Sequence, residues 1–223
     1  MVNKPVWEKL TSELAATHTT LIAVSKTKPV SDIQELYDLG QRDFGENYVQ
    51  ELTEKYSLLP PDIRWHYIGH LQSNKVKYIA LFVHMIHAVD SFKLLEEINR
   101  QALKHNRCID VLLQMHIAEE ETKFGMDESE IARMLEYYTA QQDTLNNVRI
   151  CGLMGMASNT EDENKITSEF ARLRNYFIFL SETIFFNKAS FSVCSIGMSA
   201  DYKLAVKQGG NMVRIGSMLF GSR

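Results

Sequence analysis

In "LIAVSKTKPVSDIQELYDLG", residues 21–40, Lys26 is the first charge after a run that reads as a buried strand. An amine at the end of such a strand is partly withdrawn from water, which favours loss of its proton and attack on a carbonyl carbon. Much later in the chain, "GMSADYKLAVKQGG" sets Ser199 ahead of a helical run, and "VRIGSMLFG" supplies Arg214, Gly216 and Ser217. Hydroxyls, a glycine turn and the free N–H groups of a helix start are the groups that hold a phosphate. Taken singly, Ser199 reads as a helix N-cap and a lysine after a strand as a solvated loop residue, which is the reading for Lys28. A lysine facing a phosphate cup across one site would be different: it suits a Schiff base with a phosphorylated aldehyde.

Other reactive side chains carry less. Cys108, Cys151 and Cys194 are odd in number, far apart and set in apolar segments, so they read as small buried hydrophobes. Among the histidines, His84 could reach His87, and His66 could reach His70. No cysteine or carboxylate stands beside them at ligand spacing, and a metal site is not expected. The chain has 223 residues, 45% of them hydrophobic, and a net charge of −4. Its one basic cluster, "NKVK" at 74–77, is short, which argues against a nucleic-acid partner. The N-terminus does not read as a secretory signal, and "YFIFLSETIFF" at 176–186 falls short of the roughly 20 residues that span a bilayer. A soluble, cytoplasmic protein is expected.

What would bring residues 26, 199 and 214–217 together? Short apolar runs alternate with amphipathic ones along the chain. Strands are expected at 21–25, 42–45, 65–69, 84–89, 109–117, 148–154, 191–198 and 212–216, the second being weak by itself. Ser31 and Gln34 suggest a capping box before a helix ended by Gly40, and Asp127 with Glu130 suggests another. Ile166, Phe170, Leu173, Phe177 and Leu180 form the apolar stripe of a long helix. Eight strand–helix units in this length predict a single-domain (β/α)8 barrel spanning residues 1–223. An open doubly wound sheet is the alternative, but it would put a glycine-rich turn after the first strand, where the chain has "SKTKP". In a barrel the sites gather at the C-terminal strand ends, with phosphate near strands seven and eight, and the residues named above fall there.

"AVSKTKP", "DFGENYVQE", "WHYIGHLQSNKVK", "HAVDS", "GMSADY" and "MVRIGSMLFG" together resemble the pyridoxal phosphate homeostasis proteins, also called the YggS or PROSC family, over roughly residues 20–223. That family is similar to the N-terminal barrel of alanine racemases without their second domain. The resemblance implies pyridoxal 5′-phosphate held as a Schiff base by Lys26. It further implies phosphate contacts from Ser199, Gly216 and Ser217, Arg214 facing the ring nitrogen, and Asn47 near the cofactor. No catalytic residue is implied. The expected role is buffering or delivery of the cofactor in vitamin B6 homeostasis, with transient contact to apo-enzymes, and the chain is expected to be a monomer. Three positions depart from the pattern. Ser217 replaces the usual threonine and keeps the hydroxyl; His116 replaces an asparagine; "GLMGMAS" lacks the proline that usually follows strand six.

Two other functions remain open from the residues. A weak amino-acid racemase would need a base opposite Lys26, for which Tyr48 and His70 are the candidates. A barrel for some other phosphorylated metabolite would use Lys26 only as a charge.

Overall fold

A computed structural model describes residues 2–120 and 122–221. Eight parallel strands close into a barrel in sequence order: β1 (Thr20–Val24), β2 (Asp43–Glu46), β3 (Arg64–Tyr67), β4 (Met85–Val89), β5 (Ile109–Gln114), β6 (Val148–Met154), β7 (Val193–Met198) and β8 (Met212–Ile215), with β8 paired back to β1. All eight expected strands form, including the second. There Asp43 to Glu46 pair with Arg64 to Tyr67, so neighbouring strands supply what the short segment lacks in propensity.

The outer ring differs more from the expectation. It contains α1 (Lys4–Ala15), α2 (Val30–Asp38), α3 (Val49–Leu58), α4 (Phe92–Lys104), α5 (Glu128–Ala140), α6 (Glu163–Glu182), α7 (Tyr202–Lys207) and the single turn α8 (Ser217–Phe220). A 3-10 helix, Ser73–Tyr78, connects β3 to β4 and holds the basic cluster. Because α8 is so short, α1 fills the ring beside it: the Asn3 N–H donates to the Leu219 carbonyl at 2.8 Å, and Trp7 Nε1 donates to Gln41 Oε1 at 3.1 Å.

Local signals fared unevenly. Asp127 and Glu130 form the expected capping box of α5, and the α6 stripe is buried along its length. Ser31, by contrast, lies inside α2, whose cap position is Pro29 with no side-chain cap bond; Gln34 instead bonds Asp38 at 2.8 Å. Cys151 and Cys194 are buried as expected, but Cys108 is exposed. Cys108 precedes β5 and so escapes the sheet.

Strand alternation separates two apolar clusters. The larger packs sheet against helices and includes Leu21, Ala23, Phe44, Trp65 and Val213; the smaller fills the barrel with Ile22, Met85, Leu112, Cys151, Met154 and Met212. The same period of two turns Ile22, Val24 and Lys26 inward and Ser25 outward.

At the floor of the barrel, Asp43 accepts from His66 Nε2 at 3.0 Å and from Arg64 Nε at 2.7 Å. Burial alone would raise its pKa, but the hydrogen bonds from His66 and Arg64 outweigh it and hold the carboxyl at about 2. A depressed carboxyl stabilises the fold above its ordinary value, and that contribution fades as pH falls from about 5 through about 2. We therefore expect the stability gap between wild type and Asp43→Asn, read from denaturant midpoints, to shrink by about 2 kcal/mol over that window. A gap independent of pH would contradict the assignment.

Candidate cofactor site

The mouth of the barrel holds a cavity of about 380 Å³, within the range of small-ligand sites. Lys26, Asn47, Ser199, Arg214, Gly216 and Ser217 all line it, with Val24, Ile68, Met156 and Met198 as its main apolar walls. The six residues named from the sequence thus share one cavity, although up to 191 positions separate them (217 − 26).

Lys26 is half-buried, and it projects inward because it continues the Ile22–Val24 face. The turn that carries it is held from outside the barrel. Lys55 on α3 donates to the Ser25 carbonyl at 2.7 Å, to Glu46 Oε1 at 2.7 Å and to Glu51 Oε1 at 2.6 Å. Ser25 Oγ donates to the same Glu46 oxygen at 2.7 Å, and the Thr27 N–H donates to Glu51 Oε1 at 2.5 Å. Residues on both sides of Lys26 are therefore clamped. The clamp has strain to hold, because Thr27 sits at φ +65°, a region costly for a β-branched residue. Lys55 is only 4% exposed. Its sequence signal was a lysine in register with Leu52 on the buried face of α3, a signal that "QELTEKYSLL" contains but that the sequence reading passed over.

The phosphate cup is built differently from the expectation. Ser199 is not an N-cap: Asp201 occupies that position before α7, and its carboxylate accepts from the Met198 N–H at 2.6 Å. Ser199 Oγ instead accepts from the Gly216 N–H at 3.3 Å, tying the turn after β7 to the turn after β8. Ser217 opens the single-turn α8. A Cβ on Gly216 would come within 3.3 Å of both the Val24 side chain and the Val24 carbonyl oxygen, so a glycine lets these two strand ends approach. Lys28 is not a solvated loop residue: its ammonium donates to the carbonyls of Phe220 and Gly221 at 3.0 and 3.2 Å, closing the same rim.

Arg214 is only 4% exposed. One guanidinium nitrogen donates to the Ser195 carbonyl at 2.8 Å and to Ser195 Oγ at 2.7 Å, the other to the Gly155 carbonyl at 2.9 Å. Burial lowers its pKa to about 10, which leaves it charged at neutral pH. Asn47 precedes α3 rather than opening it, and its Oδ1 is buried with no partner, an acceptor offered to the cavity region. Tyr48 and His70 line a separate cavity of about 730 Å³ on the far side of Asn47, which includes neither Lys26 nor Arg214. His70 is engaged there, 3.4 Å from Asp90 and stacked on Phe124. At the rim after β5, His116 Nε2 lies 3.0 Å from the Glu120 carbonyl.

Known proteins resemble this chain over most of its length. The alanine racemase N-terminal domain family matches residues 7–223. The pyridoxal phosphate homeostasis protein of Aquifex aeolicus is 38% identical over 204 residues, covering 91% of this chain and 86% of that protein. The chain belongs to the pyridoxal phosphate homeostasis protein family. A further member, from Schizosaccharomyces pombe, is 37% identical over 212 residues, with 91% and 84% coverage. Among solved structures, PipY of Synechococcus elongatus without pyridoxal phosphate superposes with a TM-score of 0.88 at 35% identity, covering 97% of this chain and 99% of that one. PipY with pyridoxal phosphate bound gives 0.83 at 34%, with 97% and 100% coverage. Alanine racemase from Streptomyces coelicolor shares the fold at 15% identity, with a TM-score of 0.74; this chain covers 59% of it. Among the described residues no helix is long and apolar enough to cross a membrane.

Proposed function

We propose that this chain, as one cofactor-binding unit over residues 1–223, holds pyridoxal 5′-phosphate as a Schiff base on Lys26 and buffers or delivers it to apo-enzymes. The observation that carries this reading is the convergence of Lys26, Arg214, Ser199, Gly216 and Ser217 on one cavity. The cofactor supplies an aldehyde for a reversible imine; the rest falls to the protein. The turn after β8, with Ser199 and Ser217, holds the phosphate, and Asn47 offers an acceptor on the β2 side. Arg214 can only donate hydrogen bonds, so it holds the ring nitrogen as an acceptor and opposes its protonation. A ring held in that form is a weak electron sink, which suits holding over turnover.

The cavity also bears on the racemase reading. Catalysis of that kind needs a second base facing Lys26, and Tyr48 and His70 open onto the neighbouring cavity instead. For delivery, the loaded protein should activate an apo-enzyme faster than an equal amount of free cofactor, while D- and L-alanine keep their optical rotation in its presence. Activation no faster than by free cofactor would overturn delivery, and decay of rotation would favour the racemase.

A further inference from the structure

Among the described residues, a line of polar side chains runs through the barrel beside the apolar cluster that includes Ile22, Met85, Leu112 and Met212. It begins beneath the cavity at Arg214, whose guanidinium reaches Ser195 Oγ at 2.7 Å. Ser195 Oγ lies 3.4 Å from His87 Nδ1, His87 Nε2 lies 2.9 Å from His66 Nδ1, and His66 Nε2 lies 3.0 Å from Asp43 Oδ1. Ser195 and His87 are fully buried and His66 is 1% exposed. Asp43 is gripped in turn by Arg64, and the His84 ring meets the edge of His66 at 5.3 Å.

Both ends of this line have a fixed sense. A guanidinium can only donate, and an ionised carboxylate can only accept. With both histidines neutral, each hydrogen then has one place. Arg214 donates to Ser195, Ser195 to His87 Nδ1, His87 Nε2–H to His66 Nδ1, and His66 Nε2–H to Asp43. Ser195 Oγ can turn lone pairs toward Arg214 because His87 takes its hydrogen. A proton on His87 Nδ1 would displace that hydrogen and set a second cation behind Arg214, in an interior where unpaired charge is costly. Burial, and then the neighbouring His66 and Arg214, accordingly push the His87 pKa well below its ordinary value.

We propose that Ser195, His87, His66 and Asp43 form a one-way hydrogen-bond relay that aims Arg214 into the cofactor cavity and confines positive charge beneath the ring to that one residue. These four are positioning residues: they act on the cofactor only through Arg214. The inference rests on the cofactor reading above, and it explains why a closed barrel core holds polar side chains where aliphatic ones would fill the space.

The test loads the protein with pyridoxal phosphate carrying nitrogen-15 in the ring and follows that nucleus by NMR, with the visible imine band as a separate signal. In wild type the ring nitrogen should stay unprotonated from about pH 9 down to about pH 6. In Ser195→Ala and His87→Leu its protonation midpoint should rise by about one unit or more, and cofactor affinity should fall by about 3- to 10-fold. His87→Gln, which keeps one acceptor and one donor, should restore the wild-type titration. Folded Ser195→Ala and His87→Leu proteins with wild-type titration and affinity would overturn the relay, even if they melt earlier. Should His87→Leu not fold, Ser195→Ala decides alone, since it removes a single hydroxyl. Absence of an imine band in wild type would instead refute the cofactor reading itself, so the two failures are distinct.

Discussion

In the Lys26→Ala protein, incubation with pyridoxal phosphate should give no yellow imine band, and borohydride should fix no cofactor to the peptide covering residues 20–28. In wild type the same treatment should label that peptide on Lys26, close to one cofactor per chain. Complete loss is expected because no other lysine shares Lys26's position: it alone continues the inward face of β1 while half-buried at a strand end. Lys28 lines the same cavity but is spent on the carbonyls of Phe220 and Gly221, so Lys28→Ala should keep the band. Phosphate contacts survive in Lys26→Ala, and inorganic phosphate should still bind it about as well as wild type. A band that persists without Lys26 would remove the covalent part of the proposal and leave only the phosphate cup.

The second large effect is on stability. Lys55→Met should cost about 3–5 kcal/mol, because it removes the one cation from between Glu46, which is fully buried, and Glu51. Methionine retains most of the aliphatic stem, so the loss is not a cavity effect. The Ser25 carbonyl, Glu46 and Glu51 all lose the ammonium and keep only the Lys28 N–H, the Ser25 hydroxyl and the Thr27 N–H as donors, and the strained Thr27 turn loses one side of its clamp. Two measurements check this. Thermal or denaturant unfolding should show the loss, and the double variant with Glu46→Gln should recover a good part of it, since no buried charge is then orphaned. Imine formation by the folded fraction of Lys55→Met should also be slower than in wild type, because the Ser25 carbonyl beside Lys26 loses its ammonium donor. A loss under about 1 kcal/mol would place the cluster with exposed ion pairs and remove it as the support of the Lys26 turn.

Much of this site was legible in the chain. Apolar runs of the right length marked the eight strands; Lys26, Asn47, Ser199, Gly216 and Ser217 follow strand ends, whereas Arg214 lies within β8. Those signals are local: burial of a strand demands apolar residues, and the first polar residue afterwards marks the rim. The second strand, "RDFG", was legible only through its neighbours, since its four residues are stabilised by pairing with β3.

Where the reading missed, a tertiary contact had replaced a local preference. Ser199 has the sequence context of an N-cap, yet its hydroxyl accepts from Gly216 because the pairing of β7 with β8 brings their C-terminal turns together. Lys28 looked like a solvated loop lysine until the C-terminal turn packed against it. Cys108 seemed to belong to an apolar strand, but β5 begins one residue later. His66 and His70 are too close in sequence to suggest anything but a local pair. Strand alternation instead turns His66 inward toward His87, which comes from the neighbouring strand, and leaves His70 at the rim.

The sequence by itself determined the order of elements, the closed parallel barrel and the set of residues at its mouth, because periodicity and strand-end position are properties of a few consecutive residues. Only the tertiary structure decided what supports them: Lys55 and its two carboxylates behind Lys26, and the polar line from Arg214 to Asp43. Those contacts join residues on different strands and helices, and their distances exist only once the barrel has closed.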